Sequence, residues 1–290
     1  MHVGCIGLGR MGAGLCESLL RAGHVLAVYD VQDAAKQRFA GRAALAADVA
    51  EIANCSQVIV LSLPDAPAVE AVVEQLLQTP MAGKTVVDAS TSLPETTIAL
   101  HKKLAAAGAQ LLDTPLAGTP QAAQEGKLVV YIGGSEQALA AVRPVVDSFA
   151  ARVQYMGGPG SGNVAKLVNN YLAIQYAQLY CEIFPLARKV GADVQALFEA
   201  IGQTGVACVP YRLYGEKIAA QEYPLSFSVD LAYKDLRYAA RMAQGAGGCL
   251  PLMEAGLAQL AQAQAAGLGG ADLSQVAQLV EQRLEEKGHG

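Results

Sequence analysis

With 290 residues, 52 % of them hydrophobic and 16 % charged, the chain has material for two globular domains or one large one. A net charge of −5 and a pI near 5.4 leave no basic footprint for nucleic acid or an anionic membrane, so the expected ligands are small neutral or anionic metabolites. Six scattered cysteines (Cys5, Cys16, Cys55, Cys181, Cys208 and Cys249), with no C-x-x-C pair or Cys/His cluster, speak for reduced, mostly buried thiols in a cytoplasmic protein and against a bound metal.

Along the first half, short apolar runs at 3–6, 25–29, 58–63, 85–87, 110–112 and 128–132 predict strands. Helical segments lie between them, among them 12–22 and 94–107, the second stopped by Gly108 as a C-cap. Regular alternation of strand and helix predicts a doubly wound parallel α/β sheet of Rossmann type. The strand pattern begins by Val3 and leaves no room for a signal peptide, and the longest apolar stretch, 164–187, is broken by Lys166, Asn169, Asn170 and Glu182. A soluble, cytoplasmic protein without a membrane span is expected.

The first predicted strand runs directly into Gly7-Leu8-Gly9-Arg10-Met11-Gly12, which opens the first helix. A G-x-G-x-x-G in that setting fits a dinucleotide: Gly7 permits the tight turn, Gly9 lets the backbone approach a pyrophosphate, and Gly12 lets the helix pack closely on the strand. Asp30 ends the second strand, where a carboxylate accepts hydrogen bonds from the adenosine ribose and repels the 2′-phosphate of NADP. No Arg or Lys follows until Lys36, so NAD is the expected cofactor and NADP the less favoured one.

At Gly157-Gly158-Pro159-Gly160 the pattern changes. Long helical segments at 161–190, 193–201, 228–243 and 251–266 follow without strand signals, and the Ala/Gln-rich stretch 256–264 keeps the leucine spacing of an amphipathic helix. The boundary is placed there, with an NAD-binding Rossmann domain over 1–158 and an all-helical substrate and dimerisation domain over 159–290. The helix from 161 puts Lys166, Asn169 and Asn170 on one face, where they can converge on one small group. Val164, Ala165, Leu167, Val168, Leu172, Ala173 and Ile174 make the same helix apolar nearly all round, which predicts its burial. A lysine in a buried helix needs a partner or a chemical task.

With the glycine loop and the lysine helix both in hand, the chain resembles the β-hydroxyacid dehydrogenases, the family of 3-hydroxyisobutyrate dehydrogenase, tartronate semialdehyde reductase and, more distantly, phosphogluconate dehydrogenase. The resemblance covers essentially the whole length and rests on four separated motifs. The family's Gly-Leu-Gly-x-Met-Gly is matched by residues 7–12, and its G-x-G-x-x-x-K-x-x-x-N by Gly160, Gly162, Lys166 and Asn170. This implies that Lys166 is the catalytic lysine and Asn170 its substrate-orienting partner. Lys234-Asp235-Leu236 matches a Lys-Asp-Leu whose lysine in relatives reaches the cofactor and substrate region, which places Lys234 and Asp235 there. Leu63, Pro64 and Thr91 match loops that line the dinucleotide in relatives. A homodimer or homotetramer is expected.

The fourth motif departs from the family. In place of Asp-x-Pro-Val-Ser-Gly-Gly, a carboxylate-binding loop, stands Asp113-Thr114-Pro115-Leu116-Ala117-Gly118-Thr119. Ala117 lacks the serine hydroxyl, Thr119 brings one two positions later, and the amides of Gly118 and Thr119 can still hold an anion. Ala117, Gly118 and Thr119 join Lys166, Asn170, Lys234 and Asp235 as the expected substrate residues. The stretches 157–160 and 231–236 look somewhat like the sulfolactaldehyde reductase branch, which is expected to carry a basic side chain where this chain has Gly118.

His2, His24, His101 and His289 all lie away from the proposed cleft, so the expected acid and base is Lys166, provided burial and the neighbouring Lys234 lower its pKa. The expected reaction is hydride transfer between the dinucleotide and a small anionic 3-hydroxy acid, or aldonate-type hydroxy acid, and its semialdehyde. Its rivals are a sulfolactaldehyde-type reductase, an imine reductase, in which the lysine is typically replaced, and a non-catalytic dinucleotide-binding protein. Retention of Lys166 argues against the imine reductase, and retention of both Lys166 and Asn170 against the binding protein.

Overall fold

Short valine-, isoleucine- and leucine-rich runs, buried on both faces at the centre of the sheet, build the core of a nine-stranded sheet in the first of two compact units, Met1–Lys166. The structure, a computed structural model, describes residues 1–286, and His289 lies outside the described residues. Strands β1 (His2–Ile6), β2 (Val25–Tyr29), β3 (Ala44–Leu45), β4 (Val58–Leu61), β5 (Thr85–Asp88) and β6 (Gln110–Asp113) are parallel, in the order β3-β2-β1-β4-β5-β6. Helices α1 (Arg10–Arg21), α2 (Asp33–Gln37), α3 (Val49–Cys55), α4 (Ala66–Leu76) and α5 (Pro94–Ala106) connect them.

The far edge is mixed rather than wholly parallel. There β7 (Leu116–Ala117) and β8 (Leu128–Gly133) pair antiparallel, β8 also runs antiparallel to β6, and β9 (Ala150–Gly157) lies parallel to β8. Between β6 and β8 the chain spends residues on β7 and on the six-residue α6 (Pro120–Glu125), which leaves no room for the crossover a parallel neighbour needs. Helix α7 (Glu136–Asp147) then leads into β9.

Helix α8 (Ser161–Lys189) starts in the first unit and continues into the second, which runs from Leu167 onward. The second unit adds α9 (Val194–Ile201), a π-helical turn at Tyr211–Gly215, α10 (Glu216–Ala220), α11 (Val229–Gly245), α12 (Pro251–Ala265), a 3-10 turn at Leu273–Gln275 and α13 (Val276–Glu286). Leu167, Ile174, Cys181 and Phe184 of α8 pack with Val229 and Leu236 of α11 and Leu260 of α12 in its core. The expected burial of α8 on all sides does not hold. Val164, Val168, Leu172, Tyr176, Leu179, Ile183 and Leu186 form a row along one face, each at least 39 % exposed, because the core of the unit covers only the opposite side. Of the six free cysteines, Cys5, Cys16 and Cys181 are buried, whereas Cys55 and Cys249 are exposed.

One buried ion pair fastens the second unit. Lys217 Nζ lies 2.9 Å from Asp272 Oδ2, which also accepts the N–H and hydroxyl of Ser226 at 2.7 and 2.8 Å. Asp272 Oδ1 accepts the N–H and hydroxyl of Ser274 at 3.1 and 2.6 Å. Burial alone would push this carboxyl up, but the Ser274 hydroxyl, the Ser226 amide and the Lys217 ammonium outweigh it and bring it down to about 2.

Candidate active site

The strand order reverses between β1 and β4, the position where an open α/β sheet leaves a crevice at the carboxyl ends of its strands. Gly7 stands at φ +91°, and a Cβ on it would lie 2.3 Å from the Ser62 carbonyl oxygen. A Cβ on Gly12 would lie 2.0 Å from the Gly7 carbonyl oxygen. Both positions therefore demand glycine for backbone contact. At Gly9 a Cβ would meet nothing within 4 Å, and no side chain caps α1. Open space over an uncapped helix N-terminus, beside Leu8, Arg10 and Met11, fits the pyrophosphate of a dinucleotide.

Asp30 follows β2 beside this loop. Its Oδ2 accepts the Leu8 N–H at 2.7 Å and its Oδ1 the Gln32 N–H at 2.8 Å, so the carboxylate is held in place with a lone pair on each oxygen left for hydroxyl donors. Lys36 pairs with Asp33 at 2.8 Å and lies over the Tyr29 ring.

Leu63 and Pro64 follow β4, and Thr91 follows β5. The Leu63 N–H donates to Ser90 Oγ at 2.9 Å, and the Ser90 N–H donates to Asp88 Oδ1 at 3.0 Å. Asp88 stands opposite Asp113 in the β5–β6 register, and both are buried. Burial pushes Asp88 up to about 7 against its bonds from Ser90, and the facing Asp113 adds to the rise. Burial raises Asp113 as well, opposed by the amides of Gly160 and Asn163, which donate to its two oxygens at 2.9 Å each. Gly160 stands at φ +88°, and a Cβ on Gly162 would come within 2.8 Å of oxygens of Asp113 and Tyr131. The motif glycines before Lys166 thus let α8 begin hard against the sheet. Sequence reasoning missed Asp88, Ser90 and Asn163 as parts of this network. Their signal is polarity at positions that the strand and helix patterns mark as interior.

In the altered loop, Ala117 is half-buried and Gly118 and Thr119 are exposed. Gly118 stands at φ +143°, and a Cβ there would lie 2.7 Å from Leu128 Cδ2. Thr119 is the N-cap of α6, its Oγ1 accepting the Ala122 N–H at 3.2 Å. The Thr119 hydroxyl is therefore engaged as an acceptor and retains its proton to donate.

On α8, half-buried Lys166 closes the first unit and buried Asn170 follows one turn later. Asn169 Nδ2 donates to Asn170 Oδ1 at 3.1 Å, and Asn170 Nδ2 donates to Asp235 Oδ2 of α11 at 2.6 Å. Lys234 Nζ lies 3.1 Å from Asp235 Oδ1, an ion-pair distance without hydrogen-bond geometry, and 5.4 Å from the Tyr238 ring centroid. The second unit thus gathers Asn170, Asp235 and Lys234, while residues 7–12, Asp30, Leu63, Pro64, Thr91 and 117–119 belong to the first. Among the described residues no group of three or more His, Cys, Asp or Glu could hold a metal ion, and no helix is long and apolar enough to cross a membrane.

Residues 2–157 match the family described as the NAD binding domain of 6-phosphogluconate dehydrogenase, and residues 160–280 that described as NAD-binding of NADP-dependent 3-hydroxyisobutyrate dehydrogenase. A 3-hydroxyisobutyrate dehydrogenase of Pseudomonas aeruginosa is 32 % identical over 258 residues, which cover 85 % of this chain and 87 % of the relative. A 3-sulfolactaldehyde reductase of Escherichia coli is 29 % identical over 280 residues, or 95 % and 94 % of the two chains. The solved structure of a Mycobacterium tuberculosis 3-hydroxyisobutyrate dehydrogenase with L-serine superposes with a TM-score of 0.88 at 27 % identity, covering 96 % of this chain and 98 % of the other. Likeness that spans both halves of the sequence and the whole fold leaves a single assignment: the chain belongs to the β-hydroxyacid dehydrogenase family, with 3-hydroxyisobutyrate dehydrogenase and the sulfolactaldehyde reductases, and is an NAD(P)-dependent oxidoreductase.

Proposed function

We propose that the protein interconverts a small 3-hydroxy acid, or an aldonate-type hydroxy acid, and its semialdehyde, with NAD preferred over NADP and Lys166 as general acid and base. The observation that carries this reading is the helix that holds Lys166 one turn before Asn170, whose amide is fixed by Asn169 and Asp235. With one N–H of Asn170 Nδ2 on Asp235, the second is left for a substrate oxygen. When bound over the glycine loop, the dinucleotide accepts or supplies the hydride. Lys166 Nζ removes the hydroxyl proton as the alcohol is oxidised and returns it to the carbonyl oxygen in reduction. The amides of Gly118 and Thr119 hold the acid end.

The backbone of Gly118 weighs against a sulfolactaldehyde-type substrate held by a basic side chain at that position, since any side chain there is strained and meets Leu128. Retention of Lys166 opposes an imine reductase, and Lys166 with Asn170 opposes a non-catalytic dinucleotide-binding protein. The test is NAD(H)-linked turnover of 3-hydroxyisobutyrate, L-serine, small aldonates and 3-sulfolactaldehyde. A 3-hydroxy acid, an aldonate or one of their semialdehydes should be the fastest substrate. Turnover confined to 3-sulfolactaldehyde, or none with any of these, would replace the reading.

The held carboxylate of Asp30 supports the cofactor preference. NADH should be used more efficiently than NADPH, and Asp30→Ala should narrow that gap by about 10- to 100-fold, the worth of a hydrogen bond to a charged group. Wild-type kcat/KM that is higher with NADPH would refute the assignment. The exposed apolar row of α8 supports a homodimer or homotetramer, because self-association covers such a surface. Sedimentation equilibrium that finds only the 30.0 kDa monomer would remove this part of the reading.

A further inference from the structure

Asn163 is fully buried in the first turn of α8, three residues before Lys166. Its Oδ1 accepts the Ser92 N–H at 3.0 Å, its Nδ2 donates to Thr97 Oγ1 at 3.0 Å, and its own N–H donates to Asp113 Oδ2 at 2.9 Å. The main chain of Asn163 is thus held by Asp113 and its side chain by the segment after β5, the one that also carries Ser90 and Thr91. Ser90 in turn receives the Leu63 N–H from the loop after β4. Asp113, which takes the amide of Gly160 just before α8 and that of Asn163 within its first turn, already holds the start of the helix, so the side chain of Asn163 is not needed as a cap. What it adds is a tie between the loop at 90–92 and the turn that carries the lysine. Residues at i and i+3 share a helix face, with Cβ atoms about 5 to 6 Å apart, so displacement of this side chain is passed on to Lys166.

We propose that Asn163 is a positioning residue, which sets the reach of Lys166 by tying the first turn of α8 to the loop at 90–92. This rests on the reading of Lys166 as acid and base. A reacting group displaced by about 1 Å loses about 10²-fold in rate, which makes such a tie worth a buried amide.

The test is a double-mutant cycle of Asn163→Leu and Lys166→Ala in the full chain, with Val73→Ala in the core of α4 as a control of stability alone. Asn163→Leu should lower kcat for the best hydroxy acid of the screen by about 10²-fold, while the KM of that acid and the Kd of NADH by fluorescence titration stay within about threefold of wild type. Val73→Ala should lower the melting temperature as well, with kcat unchanged. On the Lys166→Ala background, Asn163→Leu should cause no further loss of kcat. If Lys166→Ala lowers kcat by about 10²-fold or more but Asn163→Leu keeps kcat within about threefold of wild type, or if the two losses multiply, the positioning role is overturned. If Lys166→Ala itself keeps more than about a tenth of wild-type kcat, the acid and base reading falls and the positioning role with it. Should Asn163→Leu fail to fold, Asn163→Gln retains both polar groups but lengthens the tie by one methylene, and is held to the same outcomes.

Discussion

Lys166→Ala should lower kcat by about 10²- to 10⁴-fold, the usual worth of a positioned acid or base. The proposed nucleotide contacts come from residues 7–12, Asp30, Leu63, Pro64, Thr91 and Lys234 and do not include Lys166, so the Kd of NADH by fluorescence titration should stay near wild type. Stability should change little as well, because Asp113 and Asn163 fix the start of α8. Lys166→Arg sharpens the result. It keeps the positive charge but not a proton that can be given up, since a guanidinium titrates above about 12, so it should be as inactive as the alanine variant. A Lys166→Ala enzyme that keeps more than about a tenth of wild-type kcat would take Lys166 out of the mechanism and revive the binding-protein reading.

Asp272→Ala should destabilise the protein by about 3 to 5 kcal/mol, because it leaves the ammonium of Lys217 without its counter-ion and the donors of Ser226 and Ser274 without their acceptor. Thermal unfolding should show this as a loss of roughly 10 °C. The charge also carries a pH signature. The folded carboxyl titrates near about 2, below its ordinary value of 3.8, so its stabilisation is present above that ordinary value and is lost as pH falls toward 2. The difference is worth about 2 to 3 kcal/mol. Asp272→Asn preserves the shape but has nothing to titrate, so its melting temperature should lack the part of the acid-induced decline that wild type shows between about pH 4 and 2. Parallel declines in the two proteins would show that this pair is not what acid breaks.

Elements were legible where period and punctuation agree. The start of α5 at Pro94 and the left-handed Gly108 just past its end bracket it almost as read, and α8, α9, α11 and α12 lie within two residues of their predicted bounds at each end. Strand β9 escaped because it is exposed along most of its length and carries no hydrophobic period. The reversed direction of β8 escaped because it is decided by what the short link after β6 can span, a tertiary matter. The apolar character of α8 was visible, but sequence alone does not say whether such a surface meets this chain's own core or remains outside it. At the site, the glycine loop and Asp30 could be read because a strand, a turn and a helix that are contiguous bring them together. The tie among Asp88, Asp113 and Asn163 could not, since it depends on the register of two neighbouring strands and on where a later helix begins.

The three glycines of the first loop answer to different masters. Gly7 and Gly12 are dictated by the folded chain itself, because any larger residue would drive into backbone. Gly9 is not dictated by the folded chain, since a side chain there would point into empty space. On the proposed reading of that loop, a bulkier residue at that one place should yield a protein that folds and melts like the natural one yet no longer binds its dinucleotide. Such a chain separates what the apoprotein owes to its own packing from what the loaded enzyme owes to its ligand, a division that substitutions at the two flanking glycines cannot make.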